Sequence, residues 1–95
     1  MSVYLIAELS IHDRDTYAKY EAEFMDILTA YAGKIISVDE APEVLEGAWS
    51  ADRSVVLRFD SQQAALGWYH SDAYQAIANH RKAASTGNIR MVNAF

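Results

Sequence analysis

Apolar residues alternate along Val3–Ser10: Val3, Leu5, Ala7 and Leu9 share one side of an extended chain, Tyr4, Ile6 and Glu8 the other. Both sides are largely apolar, which predicts a strand covered on both faces. After His12-Asp13, with Asp13 placed as an N-cap, the period lengthens. Tyr17, Tyr20, Phe24, Ile27, Leu28 and Tyr31 recur at helical spacing between Arg14 and Ala32, leaving Arg14, Lys19, Glu23 and Asp26 for solvent. Gly33 stands where a C-terminal stop is expected. Lys34–Val38 starts a second strand, which Asp39-Glu40-Ala41-Pro42 interrupts and Val44-Leu45-Glu46 resumes. Proline removes a ladder donor, so this reads as an interrupted edge strand. Gly47 to Arg53 is a connecting loop, and Ser54–Phe59 a third strand with Val55, Leu57 and Phe59 opposite Ser54, Val56 and Arg58. Asp60 or Ser61 caps the next helix, Asp60 and Gln63 having the spacing of a capping box, and Ala64, Ala65 and Trp68 form its inward stripe. Ser71 is a fresh N-cap for a short helix from Asp72 to Ala84; Gly87-Asn88 then turns the chain into a last strand, Ile89–Val92.

The order is β-α-β-β-α-β, with the second helix broken at Ser71. Right-handed crossovers give an α+β, ferredoxin-like sandwich over residues 1–95. Its helices lie on one face of a four-stranded antiparallel sheet whose first and third strands are central. The helix-free face carries Tyr4, Ile6, Val56 and Val92. Packing two such faces together hides the patch, so the pattern predicts a homodimer in the form of a dimeric α+β barrel.

Composition strengthens that reading. A chain of 95 residues with 52% hydrophobic positions is rich in apolar side chains for a size that buries only about 60–65% of its unfolded surface. The net charge of −5 opposes a nucleic-acid partner, since no dense basic patch is present. Without cysteine there are no disulfides or thiolate metal sites, and His12, His70 and His80 lack metal-ligand spacing. No metal or cofactor is expected. Val3–Leu9 is too short for a leader and is interrupted by Glu8. No run approaches the roughly 20 apolar residues of a membrane span, so a cytoplasmic protein without a membrane partner is expected. Glycine-rich phosphate loops and a nucleophile elbow are absent, against nucleotide-dependent or serine-hydrolase chemistry.

Candidate chemistry gathers in Gln63–Arg81. Tyr74 and Arg81 stand one heptad apart and project within about 20° of each other on a helix, with Ile77 and Ala78 on the same stripe. A guanidinium there needs an anion. It finds one in an internal pair with a carboxylate such as Glu46, lays its stem flat with its head in water, or clamps a carboxylate or enolate ligand. Trp68, Tyr69 and Tyr74 are core aromatics or the wall of a ligand cleft; a buried phenol still needs a hydrogen-bond partner. His70, at the helix break, is a candidate for proton transfer. Glu8 and Arg58, on the helix-free faces of the two central strands, read as a cross-strand or cross-dimer salt bridge.

The run Trp68-Tyr69-His70-Ser71-Asp72-Ala73-Tyr74-Gln75, followed by Arg81, resembles the signature of domain-of-unknown-function family 1330. Val44-Leu45-Glu46-Gly47 with Trp49, the opening Tyr4-Leu5-Ile6-Ala7-Glu8, and Asp15-x-Tyr17-x-x-Tyr20 leading to Tyr31-x-Gly33 are similar to it too. The resemblance spans essentially the whole chain and implies membership of the dimeric α+β barrel superfamily. That family has no established activity, so it assigns no catalytic residue. Superfamily relatives include cofactor-free monooxygenases of polycyclic quinols, muconolactone-type isomerases, haem-handling enzymes and stress-induced barrels, which share a pocket between helices and sheet. Two functions follow as expectations. One is a monooxygenase- or isomerase-like enzyme, with Arg81 holding an anion, Tyr69 or Tyr74 donating hydrogen bonds, and Glu46 or His70 moving protons. The other is a non-catalytic binding or structural dimer in which the same residues serve as core and ion pairs.

Overall fold

The computed structural model describes residues Met1–Phe95. Seven elements follow one another: β1 (Val3–Ile11), α1 (Arg14–Ala30), β2 (Lys34–Asp39), β3 (Arg53–Phe59), α2 (Gln62–Tyr69), α3 (Asp72–Ala84) and β4 (Ser85–Asn93). The strands form one antiparallel sheet in the order β2-β3-β1-β4, so the first and third strands are central. This is a ferredoxin-like β-α-β-β-α-α-β arrangement, the second crossover being the broken pair α2 and α3.

Register sorts the side chains. Val3 stands opposite Phe59, Leu5 opposite Leu57 and Met91, and Ala7 opposite Val55 and Ile89. These project toward the helices and, with Tyr17, Tyr20, Leu28, Trp68, Tyr74 and Ile77, make the core. Tyr4, Ile6, Val56 and Val92 fall on the other face, which no helix covers, and all four are half-buried. The Cα atoms span 33 × 32 × 15 Å, the thin axis being that of a two-layer slab.

Each helix starts on a side-chain cap. The Asp13 carboxylate accepts from the Thr16 amide at 3.1 Å and from its hydroxyl at 2.7 Å. Ser61, rather than Asp60, caps α2 by accepting from the Ala64 amide at 3.0 Å; Asp60 pairs with Arg58 instead, at 3.1 Å. The Ser71 hydroxyl donates to the Trp68 carbonyl at 2.7 Å and accepts from the Tyr74 amide at 3.1 Å, stitching the end of α2 to the start of α3. No residue separates α3 from β4. The Ala84 carbonyl at that junction accepts from the amides of His12 and Asp13, at 2.9 and 3.2 Å.

Four expectations change. Helix α1 ends at Ala30, and the left-handed residue after it is Ala32 (φ 61°), not Gly33. The Ala32 amide reaches the Thr29 carbonyl and the Gly33 amide the Leu28 carbonyl, a Schellman closure. Gly33 is required by space: a Cβ there would run into Leu28 and come within 2.7 Å of the Phe59 ring. Second, Val44-Leu45-Glu46 does not resume a strand, because β2 ends at Asp39, whose carboxylate accepts from the Ala41 amide at 2.9 Å. Third, Gly87-Asn88 is no turn. Both residues pair with β1 inside β4, and Gly87 lies so close to the Glu8 carbonyl that a side chain would collide with it. Fourth, Glu8 and Arg58 form no pair within the chain, since the register sets Arg58 opposite Tyr4 and Glu8 opposite Ser54. Glu8 meets Arg90 at 3.8 Å.

Candidate functional site

The helices leave a cavity of about 150 Å³ against the sheet, and fourteen of the seventeen residues lining it are hydrophobic. Leu5, Ala7, Leu9, Val55 and Leu57 supply its floor from the central strands. Tyr17, Tyr20 and Phe24 line it from α1, Trp68 from α2, and Tyr74 and Arg81 from α3. Met25 of α1 and Ile35 and Val38 of β2 also line it and are themselves exposed, so the cavity reaches the surface between α1 and the edge strand.

Helical spacing explains the aromatic wall. Tyr17 and Tyr20 stack at 5.3 Å, and Tyr20 meets Phe24 at 5.4 Å on the same stripe of α1. From the other crossover, Trp68 packs 4.0 Å from Tyr74, and Phe24 meets Trp68 edge-on at 6.1 Å. The Tyr20 and Tyr74 hydroxyls lie 2.9 Å apart, joining α1 to α3 by a buried hydrogen bond. Burial pushes the Tyr20 phenol far above its ordinary value, with the neighbouring Tyr74 adding to the shift. Burial also raises Tyr17, the charges of Arg53 and Arg81 opposing it. These phenols are neutral hydrogen-bonding groups at physiological pH.

Two arginines reach the cavity in different states. Arg53, the first residue of β3, binds Glu40 at 2.8 Å and Glu21 at 3.2 Å while its guanidinium lies 5.5 Å from the centre of the Tyr17 ring. Glu40 also binds Arg14 at 3.1 Å. Arg81 is 9% exposed and takes part in no ion pair. Its guanidinium stands 6.0 Å from the centre of the Tyr20 ring, and its buried Nε has no hydrogen-bond partner. The side chain is thus largely buried, with one unpaired donor and no counter-charge.

Of the residues singled out in the sequence, Trp68, Tyr74 and Arg81 are brought together at this cavity. Tyr69, His70 and Glu46 do not line it. Neighbours on a helix diverge by about 100°, so with Trp68 turned inward Tyr69 is carried aside. It packs 5.6 Å from Tyr74, and its carbonyl accepts from the Gln75 side chain at 2.7 Å. His70 is the exposed C-cap of α2. Glu46 is exposed in the β2–β3 connection and forms no ion pair, so the internal pair with Arg81 is not made. Arg53 and Glu21 went unnoticed as site residues. Arg53 carried a signal: it stands two places before Val55 and so shares the inward face of Val55, Leu57 and Phe59.

No group of three or more His, Asp or Glu side chains is placed to hold a metal ion. No helix is long and apolar enough to cross a membrane.

Comparison with known proteins adds a family and a fold. The family model for a domain of unknown function (DUF1330) matches residues 2–95. No protein with a curated description matches the chain. Among solved structures, the RPA0582 protein of unknown function from Rhodopseudomonas palustris is similar, with a TM-score of 0.85 and 14% identity over 99% of this chain and 82% of that one. A dimeric ferredoxin-like protein of unknown function from Thermobifida fusca gives 0.68 at 12% identity, over 99% and 92%. SnoaB, a cofactor-independent oxygenase from Streptomyces nogalater, gives 0.61 at 16% identity, over 99% and 93%. At these identities the likeness is one of fold.

Proposed function

The chain belongs to the DUF1330 family, and from that premise we propose that it is a cytoplasmic homodimer binding a small organic ligand, anionic or aromatic, between its helices and its sheet. One observation carries the reading: Arg81 is buried against an aromatic-walled cavity with no carboxylate to pair with. A buried guanidinium that only stabilised the fold would be expected to have a counter-charge. Trp68, Tyr20 and Tyr74 supply apolar surface and hydroxyls, and Arg81 the charge. Dimerisation through Tyr4, Ile6, Val56 and Val92 leaves the cavity free, because those side chains lie on the opposite face of the sheet. The Thermobifida fusca protein, described as dimeric, supports that assembly.

A monooxygenase- or isomerase-like activity on the bound ligand is the second reading, favoured by the fold shared with the cofactor-independent oxygenase. Proton removal then needs a base near the ligand. Glu21 is the one carboxylate lining the cavity, which makes it a better placed candidate than His70 or Glu46.

Binding is measured by quenching of Trp68 fluorescence in a Trp49→Phe background, with a panel of one-ring compounds both charged and neutral. Saturable quenching by at least one of them, together with a rise in Tm, is expected. A panel in which no compound of either kind binds would show that the cavity is only a packing defect.

A further inference from the structure

The unspent polar groups around the cavity share one sense. Arg81 Nε, Trp68 Nε1 and Arg53 Nε are buried without partners, and all three are donors. Tyr20 and Tyr74 have two hydroxyl protons between them and one mutual hydrogen bond, leaving the second proton for another acceptor. Every buried side-chain atom that lacks a partner altogether is a donor. Charge tells the same story. Of the three charged residues lining the cavity, Arg53 is engaged by Glu21 and by Glu40, so the one uncompensated charge is that of Arg81. Size sets the third limit. At about 150 Å³ the space matches an apolar cavity known to accept a single benzene ring, and is well below the roughly 300–1,000 Å³ of sites for larger ligands.

We propose that the cavity is built for a compact organic monoanion, one ring carrying a single acceptor-only oxyanion such as a carboxylate. The oxyanion takes hydrogen bonds from the Arg81 guanidinium and from the free proton of the Tyr20–Tyr74 pair. The ring lies among Trp68, Phe24 and the aliphatic floor. This rests on the cavity-binding reading above and gives it a ligand class. Amines are excluded because they bring a positive charge and further donors to a site already supplied with both. Dianions are disfavoured because the second charge meets no free cation, and fused polycyclic systems because they exceed the space.

Titration calorimetry tests this with benzoate, benzyl alcohol, benzylamine, phthalate, 2-naphthoate and toluene against the wild-type chain, Arg81→Met and Arg81→Lys. Benzoate is expected to bind tightest, its margin over benzyl alcohol being roughly ten- to hundredfold, as for a charge-assisted hydrogen bond. Arg81→Met should abolish that margin while toluene binds as before, which also reports that the variant is folded. Arg81→Lys should restore part of it. Equal affinity for benzoate and benzyl alcohol, or preference for benzylamine or naphthoate, would overturn the ligand class and leave the cavity reading standing. Failure of every compound, toluene included, would overturn both.

Discussion

Arg81 is costly to the unliganded protein, because its largely buried guanidinium, 6.0 Å from the centre of the Tyr20 ring, has an unpaired Nε and no carboxylate. Replacing it by an unbranched apolar residue of similar length removes that cost. Arg81→Met is therefore expected to stabilise the apo chain by about 1–2 kcal/mol, read by urea denaturation. A loss of similar size would mean that the charge supports the fold. The heptad from Tyr74 to Arg81 made the inward placement of both residues legible in the sequence. The absence of a partner was not, since it depends on where Glu46 comes to rest, and loop geometry has no period to read. Arg53 belongs to β3 and not to the connecting loop, and the alternation Arg53, Val55, Leu57, Phe59 sets it facing inward.

Among the elements, α1 shows how local rules compete. Its end was expected at a glycine in the left-handed region, yet Ala32 takes that conformation and Gly33 serves where Leu28 and Phe59 leave no space for a Cβ. Left-handed backbone costs alanine about 1–2 kcal/mol relative to glycine's freedom. Ala32→Gly should thus stabilise the chain by about 1 kcal/mol once glycine's greater unfolded entropy is subtracted; an unchanged or lower denaturation midpoint would argue against this closure. Two carboxylates at element ends set the acid response. Hydrogen bonds from Thr16 hold Asp13 below its ordinary 3.8, and the hydrogen bond and charge of Arg14, with help from Arg53, hold Glu40 below 4.5. With folded values depressed, their contribution is complete above the unfolded values and disappears as the pH falls through the folded ones. Tm is expected to be flat on their account above about pH 5 and to drop below it, with Asp13→Asn flattening part of the drop. Strand β4 was legible only in its second half, because Gly87-Asn88 has the composition of a turn, and only the closeness of the Glu8 backbone shows why glycine is needed in a strand.

Over the whole molecule, the sheet order, the central strands and the helix-free face were all legible, since alternation fixes faces and the crossover rule fixes topology. The cavity was legible only as what the family resemblance and the aromatic cluster implied; its size was not, because it is a small mismatch between two layers that each follow their own pattern. The single chain exposes 5981 Å², more than the about 5,500 Å² of a typical monomer of this mass, as suits a slab with one bare side. Light scattering at micromolar concentration is expected to give twice the chain mass, and Ile6→Asp, which sets a carboxylate at the middle of the bare face, the chain mass; a monomeric wild type would sink the assembly proposed here. The junction of α3 and β4 adds an evolutionary constraint. With no residue between them, Arg81 and the strand share one reading frame. A one-residue insertion there would turn β4 over, carrying Val92 to the helix side and Met91 to the bare one. Length changes are expected to be tolerated in the Glu40–Asp52 connection, whereas at this junction a single insertion or deletion would alter the cavity and the bare sheet face together.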